Sequence, residues 1–265
     1  MSPPVIALLG SGEFEPWTEP VDRWLLDRAT GDGTVLILPT ASAPEGDRVF
    51  TMWADMGLAH YGRLGIASEV VPMKTREDAD RPEFAGMLER ASMVYFSGGN
   101  PAYLATVLRE SRFWSDLIRR LDQGLAYTGC SAGVACLGES APDSSKLDPF
   151  RRNVWKPGMR LFPQVQLAPH WDVLEAFRPG LRDFIVASLP KDTRLLAIDE
   201  RTALVGDGVH WTVLGSGTAH LLERGAWTEA GTGEALEAHL LPDVDVKGER
   251  TPSGRPSPIV SGGHR

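Results

Sequence analysis

The chain has 265 residues, enough for one α/β domain with a full core or for two small domains. Apolar residues at 42%, charged residues at 23% and a net charge of −8 are ordinary for a soluble globular protein. The acidic balance argues against a nucleic-acid partner that tracks phosphates, while leaving room for a local basic pocket.

The opening stretch, MSPPVIALLGSGEF, has no basic n-region, and its apolar run is too short for a secretory signal. No stretch approaches the roughly 18 apolar residues of a membrane helix. A cytoplasmic address with no membrane partner is therefore expected. Cys130 and Cys136 are six apart, which makes neither a metal motif nor a disulfide framework. They read as small buried thiols in a reducing compartment.

Taken in chain order, the first half alternates apolar runs with amphipathic segments. Val5–Leu9 reads as a buried strand that ends in Gly10-Ser-Gly12, and Thr18 and Pro20 open a helix with Val21, Trp24 and Leu25 inward. Thr34–Leu38, Ser68–Met73, Ser92–Phe96 and Leu125–Thr128 give four more strands. Asn100 and Pro101 cap a helix carrying Leu104, Val107 and Leu108. Ser111 caps the next, with Phe113, Leu117, Ile118 and Leu121 inward and Gly124 as its stop. Continuous apolar strands spaced by helices predict a parallel sheet covered on both faces, with ligands at the carboxyl ends of its strands. Three Gly-rich turns fall there, at 10–12, 98–100 and 129–133.

From about residue 190 the texture changes. Leu195–Ile198, Thr202–Val205 and Trp211–Leu214 are short strands separated by turn residues, read as a small antiparallel β extension. Residues 244–265 are polar and rich in Gly, Pro and Ser, which predicts a flexible tail after a single domain over 1–243. No internal repeat is visible.

Gly129-Cys-Ser-Ala-Gly133 is a G-x-S-x-G pentapeptide placed directly after a predicted strand and before a helix-compatible run. A sharp strand-to-helix turn lifts a serine hydroxyl off the sheet and needs small neighbours. The helix N-terminus would also aim free N–H groups and a positive dipole end at developing negative charge. Ser131 is therefore a candidate nucleophile; the bland alternative is a tight turn with a capping serine. Of the six histidines, His170 differs from the others because it ends an extended run, Val165–Pro169, and so falls at a strand end. It is the candidate base, against the commoner structural histidine. Ser97-Gly-Gly-Asn100 leaves backbone N–H groups uncovered, and one of them with that of Ala132 would make an oxyanion hole. A βα loop that merely needs positive φ explains the glycines equally well.

In this order the three elements resemble peptidase family S51, the α-aspartyl dipeptidases and cyanophycinases. The resemblance runs from about residue 5 to 225 and includes Leu161-Phe-Pro163, Pro169-His-Trp171, Ala197–Ala203 and Val213–Gly217. It departs from the family pattern at Ala168-Pro169 and Val134. It implies a three-layer α/β sandwich of the class I glutamine amidotransferase-like, flavodoxin-like kind, and a serine peptidase acting on small aspartyl or acidic peptides. Carried over, Ser131 is the nucleophile and His170 the base. Asp148 has the most similar spacing for the acid, with Asp143 second and Glu200 a further candidate. The oxyanion hole falls on Gly99 and Ala132. Asn100, Arg178 and Arg182 are assigned to substrate, the arginines because a guanidinium suits a carboxylate.

No metal or organic cofactor is expected, because ligand spacings and a phosphate loop followed by Lys are lacking. A homodimer is compatible with these features and not specified by them. Two competing readings stand beside the peptidase: a catalytically silent amidotransferase-like binding domain and an esterase. Glutaminase chemistry is disfavoured because the nucleophile position holds Ser131, with Cys130 one residue out of place.

Overall fold

Apolar runs without polar alternation demand burial on both faces, and parallel pairing with crossover helices supplies it. A computed structural model of the protein, describing residues 3–146 and 148–242, has that arrangement. Strands β1 (Val5–Leu9), β2 (Val35–Leu38), β3 (Ser68–Val70), β4 (Met93–Phe96) and β5 (Ala126–Cys130) pair side by side in the order β1-β5-β4-β2-β3. Every pair is parallel. The third run, expected to reach Met73, leaves the ladder at Val70. Pro72 follows it on this edge strand and has no N–H to offer a neighbour.

Successive residues of each strand enter opposite cores. Ile6, Leu8, Leu36, Val94 and Phe96 pack with α3 (Pro82–Met87), α4 (Pro101–Leu108) and α5 (Arg112–Leu121). Ala7, Leu9, Val35, Ile37, Met93 and Tyr95 pack with α1 (Glu19–Leu26) and α2 (Asp47–Leu64) on the other face. The result is a three-layer α/β sandwich. Asn100 and Ser111 cap as expected, accepting the N–H groups of Tyr103 and Trp114. Thr18 precedes α1, but its hydroxyl donates to Glu15 O and Asp22 instead of accepting a first-turn N–H.

Beyond β5 the chain forms a single turn, α6 (Ala132–Ala135), the antiparallel pair β6 (Ser140–Pro142) and β7 (Trp155–Pro157), then β8 (Val165–Pro169). Helices α7 (Leu174–Phe177) and α8 (Leu181–Ala187) follow. The expected antiparallel extension divides between two sheets. β9 (Arg194–Ile198) pairs parallel with β8 and antiparallel with β12 (Thr218–Glu223), which pairs with β13 (Ala226–Gly231). β10 (Thr202–Gly206) instead lies antiparallel to β1 and is followed outward by β11 (His210–Gly215) and β14 (Ala235–Glu237). The chain crosses from the second sheet to the main one at residues 199–201.

Register then brings distant segments to one end of the molecule. Leu9 lies opposite Cys130 and Phe96 opposite Gly129, so the loops after β1, β4 and β5 are neighbours. Ala203 faces Leu9, and Pro169 faces Ile198, so residues 170 and 199–201 arrive beside the same loops. Among the described residues no helix is long and apolar enough to cross a membrane. The segment expected to be a tail, 244–265, lies outside the described residues.

Candidate active site

Ser131 occupies the turn between β5 and α6 with φ +51° and ψ −102°, a conformation costing about 1–3 kcal/mol for a residue with a Cβ. Close packing holds it there. A Cβ on Gly129 would lie 2.3 Å from Gly133 O, and one on Gly133 would lie 2.5 Å from Phe96 O. Only glycines let the backbone fold back this tightly. The Ser131 N–H donates to Leu9 O at 3.0 Å, and the buried Tyr127 hydroxyl donates to Gly133 O at 2.6 Å. Helix α6 is one turn long, so its dipole contributes little. What the turn offers is individual N–H groups.

His170 ends β8, also with positive φ (+58°). Its Nε2 lies 2.8 Å from Ser131 Oγ, and its Nδ1 lies 3.0 Å from Glu200 Oε1. Glu200 sits in the crossing between the sheets. Its own N–H donates to Asp172 Oδ1 at 2.8 Å, and the next N–H, of Arg201, donates to Ser11 Oγ at 3.0 Å. Ser131, His170 and Arg201 all carry positive φ. His60, His210 and His220 also meet carboxylates. Among the described residues only His170 joins a carboxylate to a serine hydroxyl.

The carboxylate that meets the imidazole is Glu200, the further candidate, and not Asp148. Asp148 is exposed, accepting from the Phe150 N–H at 3.1 Å and pairing with Arg151 at 3.1 Å, away from the imidazole. Spacing along the chain did not encode which carboxylate the second sheet would deliver. Asp143 does not meet His170 either: it accepts from Asn100 Nδ2 at 2.8 Å and from Ser145. With its Oδ1 on the Tyr103 N–H, the Asn100 side chain is engaged at both ends. Asn100 and Asp143 therefore anchor the glycine loop, with one of the two Nδ2 hydrogens of Asn100 taken by the carboxylate.

Within that loop the N–H groups of Ser97 and Asn100 are taken by Leu38 O and Ala41 O. Those of Gly98, Gly99 and Ala132 have no protein acceptor among the described residues. Arg182 donates from Nε to Trp171 O at 2.8 Å and stacks over the Trp171 ring, next to the imidazole in sequence. Arg178 is exposed at the end of α7. The Cys130 thiol is fully buried, and burial, reinforced by the neighbouring Glu13 carboxylate, pushes its pKa well up. A thiol held protonated is a poor nucleophile. Glu13 is a residue the sequence reading passed over. The available signal was an acid directly after the first Gly-rich turn.

A hydroxyl, an imidazole and a carboxylate in line at the carboxyl end of a parallel sheet form the constellation of a serine hydrolase. The chain belongs to peptidase family S51, whose model matches residues 6–214, and it is a serine-type peptidase. Cyanophycinases from Trichormus variabilis and a Nostoc species are each 27% identical to it over 250 residues, covering 89% of this chain and 80% of theirs. The crystal structure of a peptidase from an acI-B1 Actinobacterium is 32% identical, with a TM-score of 0.80 over 89% of this chain and 97% of that one. A putative peptidase E from Listeria monocytogenes, 16% identical with a TM-score of 0.56, covers 87% of this chain and 99% of its own, and shares the fold.

Proposed function

We propose that the protein hydrolyses small aspartyl or acidic peptides through a Ser131–His170–Glu200 triad and an acyl-enzyme. The observation that carries this is the unbroken hydrogen-bonded line from Ser131 Oγ through both imidazole nitrogens to Glu200. Glu200 holds the tautomer with Nδ1–H, which leaves Nε2 free to take the serine proton. The alkoxide attacks the carbonyl carbon. The resulting oxyanion is received by the unoccupied N–H groups of the Gly98–Gly99 loop and of Ala132. His170 then gives the proton to the leaving amine, and water repeats the cycle to release the acid.

The cyanophycinase relatives and the Arg182 guanidinium support an acidic substrate. Arg182 has Nε fixed on Trp171 O, and its terminal N–H groups are without a protein acceptor among the described residues. A guanidinium–carboxylate contact close to the site is screened far less than the distant charges behind the net −8. The test is kcat/KM for Asp-X, Asn-X and Ala-X dipeptides, with fluorophosphonate labelling of Ser131 alongside. Asp-X is expected to lead, and Arg182→Met is expected to erase the lead, at about 2–4 kcal/mol of transition-state binding. Labelling without any preference for Asp would leave a serine hydrolase and remove the acidic substrate.

A further inference from the structure

The triad does not use a carboxylate that lies beside it. Glu13, in the loop after β1, is 9% exposed. A Cβ placed on Gly98 would lie 2.5 Å from Glu13 Oε1 and 3.6 Å from the Cβ of Ser131. Glycine at 98 therefore lets the Glu13 carboxylate pack directly against the loop, within a few ångströms of the nucleophile's Cβ.

Glu13 makes no ion pair among the described residues, whereas Glu15, two positions on, takes the guanidinium of Arg201 at 3.1 Å. The Cys130 thiol against Glu13 is a weak neutral donor, and burial together with Glu13 itself keeps it protonated. A carboxylate withdrawn from water without a cation is costly unless something charged arrives to meet it. At the mouth of a peptidase site, that something comes with the substrate.

We infer that Glu13 is a substrate-binding residue for the α-ammonium group of the residue whose carbonyl Ser131 attacks. The inference rests on the peptidase reading above. The geometry fits, because an α-nitrogen lies only about 2.5 Å from its own carbonyl carbon. A carboxylate beside Gly98 thus reaches the ammonium while the carbonyl sits at Ser131.

The experiment compares two diphenyl phosphonates of alanine, one with a free amine and one N-acetylated, by their second-order rates of Ser131 modification. The parent is expected to favour the free amine by about 100-fold. Glu13→Gln should bring that ratio close to one, and Glu13→Asp should restore part of it. On the unmodified parent the ratio should also fall as pH rises through the titration of the probe's amine. His170 acts on both probes and cancels from that ratio, and because second-order rates are read on the molecules that react, poor folding of Glu13→Gln lowers the amplitude of labelling and not the ratio that decides the matter. Equal rates in the parent, or a ratio that survives Glu13→Gln, would overturn the ammonium site alone. If neither probe modifies Ser131, the serine-peptidase reading fails and takes this one with it.

Discussion

The molecule contains an imidazole beside a carboxylate at two telling places, between α1 and α2 and at the carboxyl end of the sheet. The side chains of His60 and Asp22 are 2% and 1% exposed, those of His170 and Glu200 31% and 38%. Asp22 also accepts from the Tyr61 hydroxyl at 3.0 Å and from Thr18, and Arg63 reaches the other nitrogen of His60 at 3.3 Å. Burial, then Asp22, pushes the Tyr61 phenol well above its ordinary pKa, so it stays a donor. Every group in that cluster is engaged by protein, and the pair ties two helices together. At the sheet end the second imidazole nitrogen instead faces a hydroxyl that solvent can reach. The same two functional groups make a clamp or a base depending on what occupies the remaining nitrogen.

Removing the hydroxyl should have the largest effect. Ser131→Ala is expected to lower kcat by about 10⁴-fold or more while the melting temperature holds or rises. Alanine keeps the steric demands of the turn, so comparable turnover would end the mechanism. The acid comes next. Glu200→Gln should cost about 10²- to 10⁴-fold in kcat, with Asp148→Asn and Asp143→Asn mild by comparison. Steady-state kinetics on the three variants would reverse the assignment if Asp148→Asn proved the crippling one.

The buried pair should answer in a different observable. Asp22→Ala strands His60 in the interior and should lower unfolding free energy by about 3–5 kcal/mol, with kcat per folded molecule nearly unchanged. A denaturant titration together with active-site counting separates the two readouts. The smallest effect belongs to His210, a fully exposed third pair. Its pKa is raised by the hydrogen bond to Asp207 and then by the charge of Glu237. A raised folded value means that its contribution is present below the ordinary histidine range and lost as pH climbs through the folded value. Melting curves of parent and His210→Gln should therefore differ slightly at acid pH and coincide above that window.

The parallel half of the sheet was legible because strands covered on both faces are written as unbroken apolar runs. Its helices were legible because Asn100 and Ser111 announce their caps. Ser131 and His170 could be found for a related reason, since each ends a recognisable strand next to small residues. Glu200 was harder. A short apolar run shows that a segment is a strand but not which strand it joins, and the position of the Glu200 carboxylate beside His170 depends on β9 and β10 belonging to different sheets. Glu13 was hidden because a lone acid after a turn looks like any solvated loop residue. Its burial comes from the glycine loop of another strand.

The crossing that carries Glu200 ties together the two ends of the synthetic order. Ser131 and His170 are 39 residues apart, His170 and Glu200 a further 30, and the Arg201 N–H that fixes the crossing binds Ser11 Oγ across 190. A nascent chain that has released β1 to β5 already contains its nucleophile but no base or acid. In the proposed triad the hydroxyl and imidazole meet their carboxylate only once the chain has run past residue 200 and the crossing has closed. A chain that has emerged only to residue 170 would hold the nucleophile and base of that triad without the carboxylate that sets the imidazole tautomer.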